Sequence, residues 1–178
     1  MTPSFIKGAV RYLEDLSPTV ITVEGIAGAL AKVNRFNGQT SYPYSVAQHS
    51  VLVSHLVRPT QAIEALFHDA AEAFIGDLSK WIKPQCPAFM ELESRIESQV
   101  CEVLCLSPDH EEIKRADLIA LRLEQMYIQK RTRFYDWEPI DMPAEAYLYA
   151  HLTHEMTWRD AFLMFMVRHA ELTWGVRQ

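Results

Sequence analysis

His68, Asp69 and Glu72 stand within five positions of one another in the otherwise apolar run of residues 65–74. An imidazole and two carboxylates are costly to bury in such a run unless a cation sits against them, and a bound metal ion would supply one. Read as a helix, the run sets His68 and Glu72 four apart and Asp69 and Glu72 three apart, so all three face one side. Asp117 raises the same question, because residues 116–121 are otherwise apolar and an uncompensated buried carboxylate is unfavourable by several kcal/mol. His49 supplies a second imidazole. Two imidazoles and two carboxylates make a mixed nitrogen and oxygen donor set suited to Zn, Mn, Co, Fe or Ni. A six-coordinate ion held by these four would keep two positions open for water and a substrate oxygen.

These side chains need elements that bring them together. Ser45 reads as the cap of a helix in which Val46, His49, Val53 and Leu56 or Val57 recur at helical spacing. Pro59-Thr60 ends that helix and opens the next, expected from Gln61 to about Phe74. So short a connection makes the two antiparallel neighbours and carries His49 towards His68 and Asp69. Residues 24–33 read as a small-residue helix capped near Thr22, and Asn34 to Thr40 as a loop turning at Asn37-Gly38. Phe89, Leu92, Ile96, Val100 and Val103 mark one face of a long helix. Ile113, Ala116, Ala120 and Leu123 or Glu124 mark another. Thr157 to Asp160 resembles a capping box for a final helix running to about Trp174. Residues 161–167 are apolar all round, which predicts burial on every side, in the core or between subunits of a homo-oligomer. The expected fold class is mainly α: a single helical bundle over residues 1–178 with at most a short strand pair.

Composition narrows the partners. With 49% hydrophobic and 22% charged residues the chain is globular, and a net charge of -6 repels a nucleic acid polymer while leaving room for a small anion held by local cations. Three cysteines in no C-x-x-C arrangement offer no disulfide framework and suit a reduced compartment. No basic and apolar leader opens the chain, and no apolar run is long enough for a membrane, so a cytoplasmic protein is expected. His151, His154 and Glu155 do not follow the zinc-protease order, and His55 and His110 lack acidic companions at ligand spacing, so one protein-ligated metal is expected.

The order Tyr44-Ser45-Val46-Ala47-Gln48-His49-Ser50, then His68-Asp69-Ala70-Ala71-Glu72 with Gly76-Asp77, then Ala116-Asp117, resembles the HD-domain metal-dependent phosphohydrolases. The likeness spans roughly residues 24 to 125. Within that superfamily it is nearest to the deoxynucleotide 5′-monophosphatases and the phage dATP triphosphohydrolases. The resemblance implies that His49, His68, Asp69 and Asp117 bind the metal, that Glu72 moves the proton of the attacking water or leaving group, and that Asp77 contacts the sugar 3′-hydroxyl. It also implies that Arg35 reaches the phosphate. Lys80, Lys83 and Lys114 are candidate phosphate neutralisers, Lys114 because it lies one turn before Asp117.

The expected activity is thus hydrolysis of a deoxynucleoside triphosphate, with dATP favoured, to deoxynucleoside and triphosphate, any Mg arriving with the substrate phosphates. The alternatives are a 5′-monophosphatase releasing phosphate and a non-catalytic nucleotide sensor. Converging cations separate the first two, three or more favouring the triphosphate. Glu72 argues against the sensor, because a purely structural ion needs no proton carrier beside it.

Overall fold

A computed structural model describes residues 21–79, 81–128 and 141–175. Seven α-helices lie among them: α1 Val23–Leu30, α2 Val46–His55, α3 Ala62–Leu66, α4 Glu72–Ile75, α5 Pro87–Leu104, α6 His110–Tyr127 and α7 Trp158–Trp174. Short 3-10 segments at Arg35–Gly38, Pro59–Gln61, Lys83–Gln85 and Ala144–Thr153 join them. The only strand-like pairing among the described residues is one antiparallel bridge, Asn34 to Ser45. The chain is therefore mainly α. No helix among the described residues is long and apolar enough to cross a membrane.

The organising element is α2. Nine of its ten residues, Val46 to Ser54, are buried, and it packs against α1, α3, α6, α7 and the 3-10 segment Ala144–Thr153. A helix can sit in the middle of a bundle only if its polar groups are satisfied there. Ser45 and Gln48 form a reciprocal capping box at its start, Ser54 Oγ bonds Val51 O at 2.7 Å, and Arg168 of α7 donates to Ser54 Oγ and Ser54 O, both at 3.0 Å. Around it Ile26, Leu30, Leu52, Leu66, Ile96 and Phe165 close one core, each side chain worth about 1.5–3 kcal/mol of burial.

Two expectations change here. Within a single chain the helix buried on every side is α2, and the core option for 161–167 gives way: Ala161 and Phe165 are buried, but Leu163 and Val167 are 56% and 57% exposed, which leaves burial between subunits as the expectation for that face. Residues 161–167 lie in a helix that covers the bundle, so only one face meets the core. The single helix expected from Gln61 to Phe74 is broken into α3 and α4 by a run of turns at residues 67–71. The backbone there closes with tight bonds: Phe67 N to Glu64 O at 3.1 Å, Ala70 N to Phe67 O at 3.0 Å and Glu72 N to Asp69 O at 3.0 Å. The His68 ring takes part as well, since Nδ1 donates to Ala65 O at 2.8 Å and occupies a carbonyl that a continuing helix would use.

The predicted caps at Thr22, Ser45 and Thr157 are all present, each accepting a backbone N–H from its helix. The β-branched Val23 opens α1 directly after its cap Thr22, and residues 129–140 lie outside the described residues.

Candidate metal centre

The donor atoms of His49, His68 and Asp117 all lie within 4.8 Å of one another. His49 Nε2 is 3.0 Å from Asp117 Oδ1 and 3.5 Å from Asp69 Oδ2, and His68 Nε2 is 3.2 Å from Asp69 Oδ2. Both Nε2 atoms are nonetheless buried without an aligned hydrogen bond. Bonds of about 2.1 Å to a shared ion would set neighbouring donors about 3.0–3.4 Å apart. The spacing and the two orphaned nitrogens therefore fit a divalent cation, and the His49, His68 and Asp117 group could hold one. Asp69 stands against both imidazoles.

The candidate donors come from three places in the fold. His49 lies one turn into α2, wholly buried. His68 and Asp69 sit on the turn between α3 and α4, not on a helix face, and the His68 ring is tilted 53° to that of His49 with centroids 5.1 Å apart. Asp117 comes from α6 and is partly open to solvent. Glu72 opens α4, is 5% exposed, and leaves Oε2 buried and unpartnered. Gly76 follows α4 at φ 80°, ψ 165°, a conformation that L residues avoid, and turns the chain into Asp77.

Arg35 is delivered by the loop before α2. The Asn34 to Ser45 bridge, with Arg35 N on Tyr44 O and Val46 N on Val33 O, both at 2.9 Å, ties that loop to the start of α2. Phe36 and Asn37 then take left-handed backbone angles, φ 56° and 52°, at about 1–2 kcal/mol each. The guanidinium lies 3.6 Å from Asp69 Oδ2 and 3.1 Å from Glu124 Oε2, with Nε buried and unpartnered.

The electrostatics favour a cation. Burial and the Arg35 charge pull the His49 pKa down, but Glu124 and Asp117 outweigh them and push it up to about 10. Burial alone would raise Asp69 and Asp117, yet the adjacent imidazoles and Arg35 hold both below the usual carboxylate range. Burial, then Asp69 and Asp77, push Glu72 up to about 9. Burial likewise raises Asp77, with Asp69 adding to it. One corner of the site thus keeps ionised carboxylates for a cation, while a neighbouring carboxyl holds its proton.

The lysines are less gathered. Lys83 feels the fields of Glu72 and Asp69 but is paired with Glu93, Nζ to Oε1 at 2.7 Å. Lys114 is exposed on α6, one turn before Asp117. Lys80 lies outside the described residues. A hollow of about 90 Å³ reaches His68 and is walled in part by Glu64, Glu97, Cys101 and His110. A roomier cleft of about 1000 Å³, lined by Lys32, Gln48, Trp158 and Met164 among others, touches none of the metal donors.

Two residues at the centre were not singled out as functional by the sequence reading. Glu124 is wholly buried and bonds His49, and the wholly buried Tyr44 hydroxyl is held well above its ordinary pKa by burial and by Glu124. Glu124 carries a signal in hindsight: it lies two turns after Asp117, on the apolar side of α6 with Ile113, Ala116 and Ala120.

No protein-family model matches the sequence. Among curated proteins, the chain is 39% identical over 126 residues to Uncharacterized protein YfdR of Escherichia coli K12, covering 68% of this chain and 71% of that one. It is 36% identical over 134 residues to Uncharacterized protein RCAP_rcc00048 of Rhodobacter capsulatus, covering 67% of this chain and 68% of the relative. Identity at this level, sustained over two-thirds of both partners, means that this chain belongs to the same family as YfdR.

Proposed function

We propose that this protein is an HD-domain, divalent-metal-dependent phosphohydrolase of a deoxynucleotide, with a deoxynucleoside triphosphate, dATP favoured, as its substrate. The observation that carries the reading is the His49, His68 and Asp117 donor group, with Asp69 against both imidazoles and the buried Glu72, its Oε2 without a partner, three residues further on. An ion there would lower the pKa of a bound water from about 15.7 to about 7 and polarise the phosphoester. His49, His68, Asp69 and Asp117 would hold that ion. Arg35 neutralises phosphate oxygens with the donors that Glu124 and Asp69 leave free. Glu72, kept neutral by burial and its carboxylate neighbours, gives its proton to the leaving oxygen as the phosphoester bond breaks and takes up the proton that the attacking water loses, so it ends the cycle protonated. Asp77, beyond the Gly76 turn, orients the sugar. The triphosphate and the choice of adenine rest on resemblance.

A second reading, 5′-monophosphatase action, draws support from the engagement of Lys83 by Glu93, which leaves Arg35 as the cation set inside the site among the described residues. A non-catalytic sensor is disfavoured by Glu72, a buried carboxyl with no structural partner on Oε2. The deciding experiment incubates metal-loaded protein with each deoxynucleoside mono-, di- and triphosphate and identifies the inorganic product. Triphosphate released from dATP supports the leading reading, orthophosphate from monophosphates supports the second, and no turnover of any substrate refutes both.

A further inference from the structure

The carboxylate of Glu124 is 0% exposed and uses both of its oxygens on the site: Oε1 accepts from His49 Nδ1 at 2.7 Å and Oε2 from Arg35 Nη2 at 3.1 Å. We propose that Glu124 is a positioning residue that fixes the metal-facing imidazole of His49 and the phosphate-facing guanidinium of Arg35 to one carboxylate, so that metal binding and anion binding are coupled through it. The inference rests on the metal and phosphate reading of the site given above.

In the proposed arrangement Glu124 Oε1, 2.7 Å from Nδ1, accepts the His49 proton on that nitrogen. Nε2 is then the metal-facing nitrogen, and it is the buried atom left without an aligned partner beside Asp69 and Asp117. The outer nitrogen of a metal-bound histidine characteristically donates to such a group, which orients the ring and raises its basicity. Arg35 is treated in parallel. Glu124 takes Nη2, Asp69 lies 3.6 Å from Nη1, and Nε remains buried and unpartnered for an incoming anion. The two clients share one rigid support on α6, buried under Tyr44 and reached from α2 and from the loop before it. A shift of the carboxylate towards one client therefore loosens the other. Asp117 lies on the same helix, so one element carries both a ligand and the support for its neighbours.

The test compares wild-type protein with Glu124→Gln and Glu124→Asp, using Co²⁺ absorption for metal binding and inorganic phosphate as the anion. Circular dichroism and thermal melting check that each variant folds. Glu124→Gln keeps the shape but loses the charge, and should weaken Co²⁺ about ten- to hundredfold. It should also weaken phosphate and reduce towards one the factor by which each ligand strengthens the other in wild type, a factor that must be the same in both directions. Glu124→Asp, which keeps the charge one methylene short, should recover part of the coupling. A folded Glu124→Gln protein with wild-type binding of both ligands, or with only one affected, overturns the proposal. Should the variants fail to fold, ¹⁵N spectra of histidine-labelled, Zn²⁺-loaded wild type decide: a protonated Nδ1 and a metal-bound Nε2 at His49 support it, and the reverse assignment overturns it. Wild-type protein that takes up no Co²⁺ would remove the metal reading and the proposal with it, which is distinct from an intact metal site indifferent to Glu124.

Discussion

His68 donates from Nδ1 to the carbonyl oxygen of Ala65 at 2.8 Å. A carbonyl cannot donate, so a proton belongs on Nδ1, and Nε2 is the nitrogen that lies 3.2 Å from Asp69 Oδ2. One bond to the backbone at the end of α3 thereby holds the ring and orients a candidate metal donor.

His68→Ala and Asp69→Ala should therefore remove the ion more completely than loss of an outer partner, which characteristically weakens binding about ten- to hundredfold. Both side chains lie on the turn at residues 67–71, so the bundle should survive. Isothermal titration with Zn²⁺ or Mn²⁺, alongside a thermal melt, measures both. Undiminished affinity with either variant would count against these ligands, and phosphate or polyphosphate release should disappear with the ion.

Gly76→Ala tests the turn that presents Asp77. At φ 80° and ψ 165° the cost is in the backbone alone, since nothing lies within 4 Å of an added Cβ. The expected loss is about 1–3 kcal/mol by urea denaturation, with a raised KM because Asp77 moves. A variant as stable as wild type would mean that the turn relaxes freely.

Phe165 and Leu163 separate core from surface on α7. Phe165 is wholly buried and meets Phe67 edge-on at 5.4 Å between centroids, whereas Leu163 is mostly exposed. Phe165→Ala should destabilise by about 3–5 kcal/mol. Leu163→Glu with Val167→Glu should leave the fold intact. If this exposed stripe joins copies into the expected homo-oligomer, light scattering should give a multiple of 20.5 kDa for wild type and a single chain for the double variant. A wild-type mass of one chain would refute the oligomer.

His55 should make stability depend on acid. It stacks on Tyr149 with ring centroids 4.8 Å apart, and burial, with Arg168 nearby, lowers its pKa from 6.5 to about 4. Between those values the unfolded chain binds a proton that the native protein refuses, so stability falls as pH drops from 6.5 towards 4. His55→Gln should have a shallower slope over that window in urea melts taken at several pH values. Identical slopes would show that His55 does not contribute.

The candidate donors His49, His68 and Asp117, the helix caps at Thr22, Ser45 and Thr157, and the mainly helical class could be read from the sequence by itself. Capping is decided within four residues, and apolar spacing within a few turns, so both are local properties of the chain. The break at residues 67–71 was hidden because an apolar run rich in alanine satisfies helical spacing whether or not the backbone continues, while the tight backbone bonds there and the His68 ring on Ala65 O are seen only in the folded chain. Tertiary structure also chose which helix sits at the centre. Residues 161–167 are the more apolar, but α2 is the one enclosed, because burial depends on how many neighbours surround a helix. It likewise gave Glu124 its place: a glutamate two turns from Asp117 is an ordinary helix residue until α2 and the Arg35 loop close over it. A side chain's chemistry is written in its own residue, but its partners lie 75 and 89 positions away, and only the folded chain brings them within reach.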